Sequence, residues 1–243
     1  PVYRFAKNSR PKIRDYARTG ATMAMLPTAM MATLPIWALG GSKRDVLNTS
    51  NVLWSGYAAA LTQMKLEIEG EEHLWSHRPA IFAFNHQSAM DALIVPKIVQ
   101  RDFTGIAKKE LAKSPLTAAI GKFGDLIFVD RGNREKAIEA MQGAVRTMKE
   151  KNLSIIISPE GTRSYGTRLG KFKKGAFHLA MQAGVPLIPI IIKNAHDAMP
   201  RGATFFRPAA VEVVVARDLV RVRGVGALVV DGHGGVKGVV SQA

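Results

Sequence analysis

The sequence predicts an α/β fold, a mixed and largely parallel sheet flanked by helices, on two observations. From Lys65 onward, short apolar runs of strand length alternate with longer segments whose apolar residues keep helical spacing. This alternation is typical of strands joined by crossover helices, so most strand pairs should be parallel. Before Lys65, an uncharged apolar run between basic residues indicates a helical segment of a different kind.

The alternating region contains seven predicted strands and four predicted helices. The strands are Lys65–Glu69, Ile81–Asn85, Thr104–Ala107, Leu126–Asp130, Ser154–Ser158, Leu187–Ile192 and Val211–Val215. The helices lie near 89–99, 111–122, 134–150 and 173–183. Asn133 is the predicted N-cap of the third helix. Gly184, with Pro186 beyond it, is the predicted end of the fourth.

The uncharged run is Thr19–Ser42, 24 residues without a charged side chain. As one helix it would be roughly 36 Å long, enough to cross a bilayer, but Pro27 and Pro35 interrupt it. A spanning helix normally has its positive charge on one side, whereas basic residues stand on both sides of this run: Arg4, Lys7, Arg10, Lys12, Arg14 and Arg18, then Lys43 and Arg44. Two cationic ends suit a segment that dips into one leaflet and returns.

A second helix follows this run, with Asp45 as its predicted cap and a broad apolar stripe. Residues 1–64 are therefore predicted to be a membrane-associated helical pair, and a buried hairpin packed on the rest of the chain is the alternative. Residues 65–223 are the predicted principal domain. Residues 224–243 form a glycine-rich tail, interpreted as a frayed strand or linker.

The composition limits the kinds of partner and chemistry. A formal net charge of +15 and a pI near 10.3 indicate an anionic partner. Aromatic residues are only 7% of the chain and no zinc-finger spacing is present, so no nucleic-acid partner is expected. An acidic membrane surface or a phosphorylated substrate fits better. The absence of cysteine excludes disulfides, thiolate metal sites and a cysteine nucleophile.

His86 and Asp91, separated by four residues, come directly after the predicted strand Ile81–Asn85. Where a strand opens into a helix, this spacing lets the carboxylate return to the imidazole ring. The carboxylate then fixes the tautomer, and the other ring nitrogen can take a proton from a hydroxyl. Imidazole suits this role because its pKa, about 6.5 when unperturbed, is close to neutral pH.

A second motif, PEGTRS at 159–164, comes about seventy residues later. Glu160 and Arg163 flank a glycine, where the backbone can approach a ligand closely. Arginine binds phosphate through parallel hydrogen bonds and lysine binds it as a point charge. Arg131 and Arg163 are therefore candidates for bidentate phosphate contacts, and Lys108 for a point-charge contact.

These motifs belong to an ordered set: NHQSAMD at 85–91, AKKEL at 107–111, IFVDR at 127–131, PEGTRS at 159–164 with FKKGA at 172–176, and VPLIPI at 185–190. In order and spacing, the set resembles the phospholipid/glycerol acyltransferase family, and within it the lysophosphatidic acid acyltransferases. The resemblance covers about residues 65–215. Two residues depart from the family pattern: Asp125 replaces a glycine, and Ser158 stands where a bulky apolar residue is common.

The resemblance implies acyl transfer from an acyl-CoA or acyl carrier protein thioester to the 2-hydroxyl of 1-acyl-glycerol-3-phosphate, giving phosphatidic acid. His86 would act as general base and Asp91 would orient it. The implied substrate-binding residues are Lys108, Arg131, Glu160, Gly161, Thr162 and Arg163. No cofactor and no metal are expected, and the implied location is the cytoplasmic face of the cell membrane. The sequence does not identify the oxyanion donor, for which the backbone near Gly161 is a first suggestion.

Two other functions stay open at this point. The same chemistry could act on glycerol-3-phosphate, another lysophospholipid or a glycolipid. A non-catalytic module that binds membrane surfaces would use the basic amino-terminal region, but it would not need a base such as His86. A zinc site is disfavoured because His73 and His77 lack the adjacent glutamate of a zinc protease.

Overall fold

The computed structural model describes residues 12–163, 169–200 and 202–217, together with the backbone of 226–230 and 236–241. The helices are α1 Ile13–Met31, α2 Leu34–Ala38, α3 Lys43–Thr62, α4 His73–Ser76, α5 Asp91–Val99, α6 Pro115–Gly124, α7 Arg134–Lys151, α8 Gly175–Ala183 and α9 Ala195–Ala198. The strands are β1 Lys65–Glu69, β2 Ile81–Phe84, β3 Phe103–Lys108, β4 Ile127–Val129, β5 Ser154–Ile157, β6 Leu187–Lys193, β7 Ala210–Val215, β8 Gly226–Val230 and β9 Val236–Ser241.

Seven of these strands form one sheet in the order β1-β7-β6-β2-β5-β3-β4. Neighbouring strands are parallel except β6 and β7, which are antiparallel. The predicted mixed, largely parallel sheet is therefore confirmed. The seven predicted strands are all present, each with ends within one residue of the prediction.

Helices cover both faces of the sheet, and the central strands are buried on both sides. On one face, Phe82 of β2 and Ile190 of β6 pack with apolar residues of α3 and α5, such as Ala58 and Ile94. On the other face, Ile81 and the neighbouring strand residues pack with α7 and α8. Strands buried on both faces explain the nearly continuous apolar runs in the sequence.

The four predicted helices are present, with shifts at their ends. Asn133 caps α7 by accepting the backbone N–H of Lys136, and Gly184 ends α8 in the left-handed conformation with φ of 73°. The predicted helix near 111–122 is divided, because Lys109–Lys113 is a 3-10 turn and α6 begins only at Pro115. A proline at the first position of a helix is favourable because its missing N–H would have no partner there.

The amino-terminal segment is an antiparallel helical hairpin in which α2 connects α1 to α3. The sequence predicted Asp45 as the N-cap of α3, and this prediction is wrong. Ser42 is the cap, and Asp45, three residues later, returns its carboxylate to the backbone N–H of Ser42 at 2.9 Å. This reciprocal pair is a capping box. Serine and aspartate are both common N-cap residues, so the sequence alone does not tell which of the two is the cap.

Polar side chains at helical spacing on α3 attach the hairpin to the sheet domain. Asn48 exchanges two hydrogen bonds with Asp102, at 2.8 and 2.9 Å. Asn51 donates to the carbonyls of Pro96 and Gln100, which lie at the end of α5. These contacts hold α3 over the carboxyl-terminal part of α5, so the hairpin has a defined position beside the sheet.

Asp125, one of the two departures from the family pattern, joins three elements. It follows α6 in the left-handed conformation with φ of 58°, a backbone state that glycine adopts most easily and aspartate tolerates. Its carboxylate binds Lys43, Arg44 and Lys151 at 3.3, 3.1 and 2.7 Å. Burial raises the pKa of Asp125, but the hydrogen bonds from Lys151 and Lys43 outweigh burial and leave the pKa below its usual value. The substitution thus retains the turn and adds an ionic link to α3.

The glycine-rich tail contains more structure than its composition predicted. Its two strands, β8 and β9, pair as an antiparallel hairpin that is separate from the main sheet. Of the two predicted alternatives, a frayed strand or a linker, these residues therefore do not form a linker. Glycines at intervals conceal the alternation of apolar residues by which such strands are recognised.

Candidate active site

The carboxyl ends of β2, β5 and β3 lie side by side, because these strands are parallel neighbours in the sheet. In open α/β sheets, ligands bind at this edge. His86 follows β2 after one residue, and Asp91 is the first residue of α5. The short connection brings His86 Nδ1 to 2.6 Å from Asp91 Oδ2.

The Asp91 carboxylate is fully buried and held by its own loop. Besides the imidazole, Oδ2 accepts the backbone N–H groups of Gln87 and Ser88 at 2.8 and 3.0 Å. An Nδ1–H donor matches the contact with Oδ2, and in that tautomer the lone pair of a neutral imidazole is on Nε2.

Asn85 extends the strand pairing of β2 by means of its side chain. Its amide donates to the Ile192 carbonyl at 2.8 Å and accepts the Ile192 N–H at 2.7 Å, and Asn85 is buried. The backbone immediately before His86 is thereby fixed to β6. The ring of Phe84 also packs edge-on to the imidazole, at 5.8 Å between centroids. The sequence motif included Asn85, but its amide pairing had no signal in the sequence.

Glu160 connects the loop after β2 with the connection between β5 and α8. Its Oε1 accepts the backbone N–H of His86 at 2.7 Å, and its Oε2 accepts the backbone N–H of Gly170 at 2.6 Å. The side chain is only 3% exposed. Glu160 was expected to bind substrate, yet both of its oxygens are used by the protein backbone. The structure therefore supports a positioning role, in which Glu160 holds the loop of the PEGTRS motif against His86.

A cavity of about 1340 Å³ opens at this edge of the sheet. It is lined mainly by apolar side chains, which suits a hydrocarbon chain. The cavity runs from Trp54 of α3, past His86, to Ile138 and Met141 of α7. The predicted site residues His86, Asp91, Lys108, Arg131, Gly161, Thr162 and Arg163 all line it. Glu160, the remaining predicted site residue, does not line the cavity.

The cationic residues lie at the polar part of this cavity. Arg131 donates from Nη1 to the carbonyl of Gly161, and burial lowers the pKa of Arg131 although Glu110 opposes that effect. Lys108 is half-exposed and pairs with Glu110 at 3.4 Å. Lys173, part of the FKKGA motif but not among the predicted substrate-binding residues, also lines the cavity and packs against Gly161. The cations therefore come from β3, β4 and the PEGTRS loop.

The backbone near Gly161 does not fit the suggested oxyanion role. The Gly161 N–H donates to the Ser158 carbonyl at 3.1 Å, and its φ of 69° belongs to this turn. A donor used in a turn is not directed at a substrate. The residue that stabilises the oxyanion must be sought elsewhere in the lining.

Within the described ranges, no group of three His, Cys, Asp or Glu side chains is arranged to hold a metal ion. His73 and His77 lie around α4, at the opposite edge of the sheet from His86. The arrangement around His86 is thus an imidazole in contact with a buried carboxylate, with several cations, beside an apolar cavity. It is suited to activating a hydroxyl and binding an anionic, lipid-like molecule.

Comparisons with known proteins agree with this arrangement. Residues 65–193 match the family model described as Acyltransferase. The chain is 40% identical over 158 residues to a 1-acyl-sn-glycerol-3-phosphate acyltransferase of Limnanthes alba, covering 65% of this chain and 56% of that protein. It is 37% identical over 154 residues to the Haemophilus influenzae protein of the same name, covering 62% and 64% of the two chains.

The fold also matches a solved structure. The crystal structure of the 1-acyl-sn-glycerophosphate acyltransferase PlsC from Thermotoga maritima superposes with a TM-score of 0.70 at 23% identity, covering 86% of this chain and 87% of that one. The chain spans about half to two thirds of the length of the curated relatives described above. Because the family model spans more than half of the chain and includes both motifs, the chain belongs to the acyltransferase family.

Proposed function

We propose that the protein transfers an acyl group from a thioester to the 2-hydroxyl of 1-acyl-glycerol-3-phosphate, giving phosphatidic acid. The observation that carries this proposal is the 2.6 Å contact between His86 and Asp91 at an apolar cavity lined by cations. A base, an anion site and a hydrocarbon site are the three parts that this reaction needs. The names of the curated relatives support the choice of acceptor.

In the proposed reaction, Nε2 of His86 takes the proton of the acceptor hydroxyl as the oxygen attacks the thioester carbonyl carbon. The new C–O bond forms while the carbonyl π electrons move to oxygen. When this tetrahedral intermediate collapses, the C–S bond breaks, and the imidazolium returns the proton to the thiolate. Asp91 stabilises the transient positive charge on the imidazolium without taking its proton. The products are the diacyl ester and a free thiol, with no acyl-enzyme and no cofactor.

The acceptor phosphate is proposed to bind Arg131, Arg163 and Lys108. These three residues line the cavity that contains His86. The backbone of Gly161 and Thr162 forms the adjoining wall. The donor is either acyl-CoA or an acyl carrier protein thioester, since the thioester carbonyl is common to both.

Membrane attachment is proposed for the amino-terminal hairpin. The segment Ile13–Ala38 is long and apolar enough to cross a membrane, and only 17% of its most apolar window is buried in the protein. Leu34, Trp37 and Leu39, at the tip between α1 and α3, are 55%, 69% and 88% exposed. Exposed apolar residues on a strongly basic chain fit the anionic, cytoplasmic leaflet, where the tip can enter without spanning.

Replacing His86 with alanine should lower turnover by about 10²–10⁴-fold, the usual effect of losing a general base. The assay follows free thiol release and lipid product from acyl-CoA and 1-acyl-glycerol-3-phosphate in detergent. His77→Ala, a change to an exposed histidine away from the cavity, is the matched control and should retain wild-type turnover. Near-normal turnover of His86→Ala would exclude the proposed mechanism.

Replacing Arg131 with alanine should selectively weaken use of the phosphorylated acceptor. A charge-assisted hydrogen bond contributes about 1.5–3 kcal/mol, so kcat/KM should fall about 10- to 150-fold with 1-acyl-glycerol-3-phosphate. It should change little with monoacylglycerol, which has no phosphate. Lys149→Ala removes an exposed charge outside the cavity and should leave both acceptors unaffected. An equal loss with both acceptors would contradict phosphate binding by Arg131.

A panel of acceptors on the wild-type protein tests the acceptor itself. Thiol release that depends on 1-acyl-glycerol-3-phosphate supports the proposed substrate. Selective use of glycerol-3-phosphate, another lysophospholipid or a glycolipid would transfer the same chemistry to that acceptor. No thiol release with any acceptor would indicate a non-catalytic membrane-binding protein.

Changing Leu34 and Trp37 together to lysine should lower the fraction of protein that floats with vesicles of phosphatidylcholine and phosphatidylglycerol. The added charges would have to enter the apolar part of the leaflet, which costs free energy. Met181→Lys makes the same kind of change at an exposed apolar residue of α8 and should float like the wild type. Equal flotation of the double variant and the wild type would show that the tip does not enter the membrane.

A further inference from the structure

We propose that the Ser158 hydroxyl donates a hydrogen bond to the thioester carbonyl oxygen, where negative charge develops when the acceptor attacks. This inference rests on the proposed acyl transfer and names the oxyanion donor that the reaction requires. The Gly161 N–H is used by the Ser158 carbonyl, so the turn itself does not supply that donor.

Ser158 lies on the floor of the cavity, next to the strand that leads to His86. Ile156 pairs with Phe82 of β2 and with Gly105 of β3, and side chains alternate along a strand. Ser158 is therefore on the same sheet face as Ile156, in one row with Phe84 of β2 and Ala107 of β3. Ser158, Ile156, Phe84 and Ala107 all line the cavity. Along this row, the other side chains are apolar.

The Ser158 hydroxyl oxygen is shielded from solvent and has no hydrogen-bond partner among the residues that the structure describes. Such a group is destabilising, and each one in a folded protein calls for an explanation. Two other hydroxyl groups of the lining are already satisfied. Ser50 pairs with Thr33 at 3.0 Å, and Thr104 donates to the carbonyls of Gly124 and Asp125.

The position of Ser158 matches that of the reacting carbonyl. Continuing the pairing of Ala83 with Ile157 by one residue places Ser158 opposite Phe84, two residues before His86, at the strand spacing of about 4.8 Å. In the proposed reaction, the carbonyl attacked by an oxygen at His86 lies over this part of the floor. An acyl chain on an apolar floor presents one polar group there, the carbonyl at its head. A serine hydroxyl without a partner can turn among its staggered rotamers to meet this oxygen.

The electrons and protons of this step are accounted for by the acceptor, the thioester, His86 and Ser158. As the new C–O bond forms, the carbonyl π electrons move to the oxygen, and Ser158 donates its hydrogen bond while keeping its proton. When the C–S bond breaks, the electrons return and the hydrogen bond weakens. A donor whose interaction is strongest at the transition state raises kcat rather than ground-state binding.

The test compares Ser158→Ala with Ser154→Ala, a change at the other end of the same strand. Ser158→Ala should lower kcat about 10²–10³-fold, as for other lost oxyanion donors, with KM for the acceptor unchanged. Its thermal midpoint should not fall, because the hydroxyl that is removed has no partner. Ser154 accepts the Ala80 N–H at 3.2 Å, so Ser154→Ala should lower the thermal midpoint and keep the wild-type kcat.

Several outcomes would overturn the assignment. A wild-type kcat in Ser158→Ala, or a change confined to KM, would exclude an oxyanion donor. A loss of rate confined to hydroxylated acyl donors would indicate that Ser158 recognises the acyl chain and does not stabilise the oxyanion. Should Ser158→Ala fold poorly, Ser158→Thr, which keeps the hydroxyl, must retain turnover, and its inactivity would count against the proposal. A wild-type protein inactive with every acceptor would instead refute the proposed function, and this inference with it.

Discussion

A buried carboxylate oxygen that accepts three hydrogen bonds organises the loop after β2. Oδ2 of Asp91 binds the imidazole of His86 and two backbone N–H groups of the same loop. These three hydrogen bonds link the path of the loop to the direction of the ring. If the imidazole moved away, Oδ2 would lose one hydrogen bond and keep the two from the backbone.

The sheet and the PEGTRS motif hold the His86–Asp91 loop through contacts with residues outside that loop. Asn85 ties the start of the loop to β6, and Glu160 receives the His86 N–H from the other side. Because β2, β5 and β3 are parallel, their ends bring the base, the PEGTRS loop and Lys108 to one edge. The apolar floor between them is the proposed site of the acyl chain, beside the cations proposed to hold the acceptor.

Patterns that act locally could be predicted from the sequence, and interactions between distant residues could not. The strands follow from apolar runs, and the His86–Asp91 pair follows from a spacing of four residues at a strand end. The position of Glu160 depends on the backbone of Gly170 and of His86, the latter in a loop 74 residues away in sequence. The Asp125 link likewise joins α3 to residues about eighty positions later. Ser158 was visible as a departure from a family pattern, but only the structure shows that its hydroxyl has no partner in the described part of the chain.

The protonation of the His86 ring tests the central claim most directly. Nitrogen-15 labelled histidine in the wild-type protein, observed by NMR at a pH where the ring is neutral, reports which ring nitrogen carries the proton. The account predicts a proton on Nδ1, with a low-field signal that reflects the short contact to Asp91 and disappears in Asp91→Ala. A neutral ring protonated on Nε2, or a spectrum unchanged by that substitution, would contradict the account.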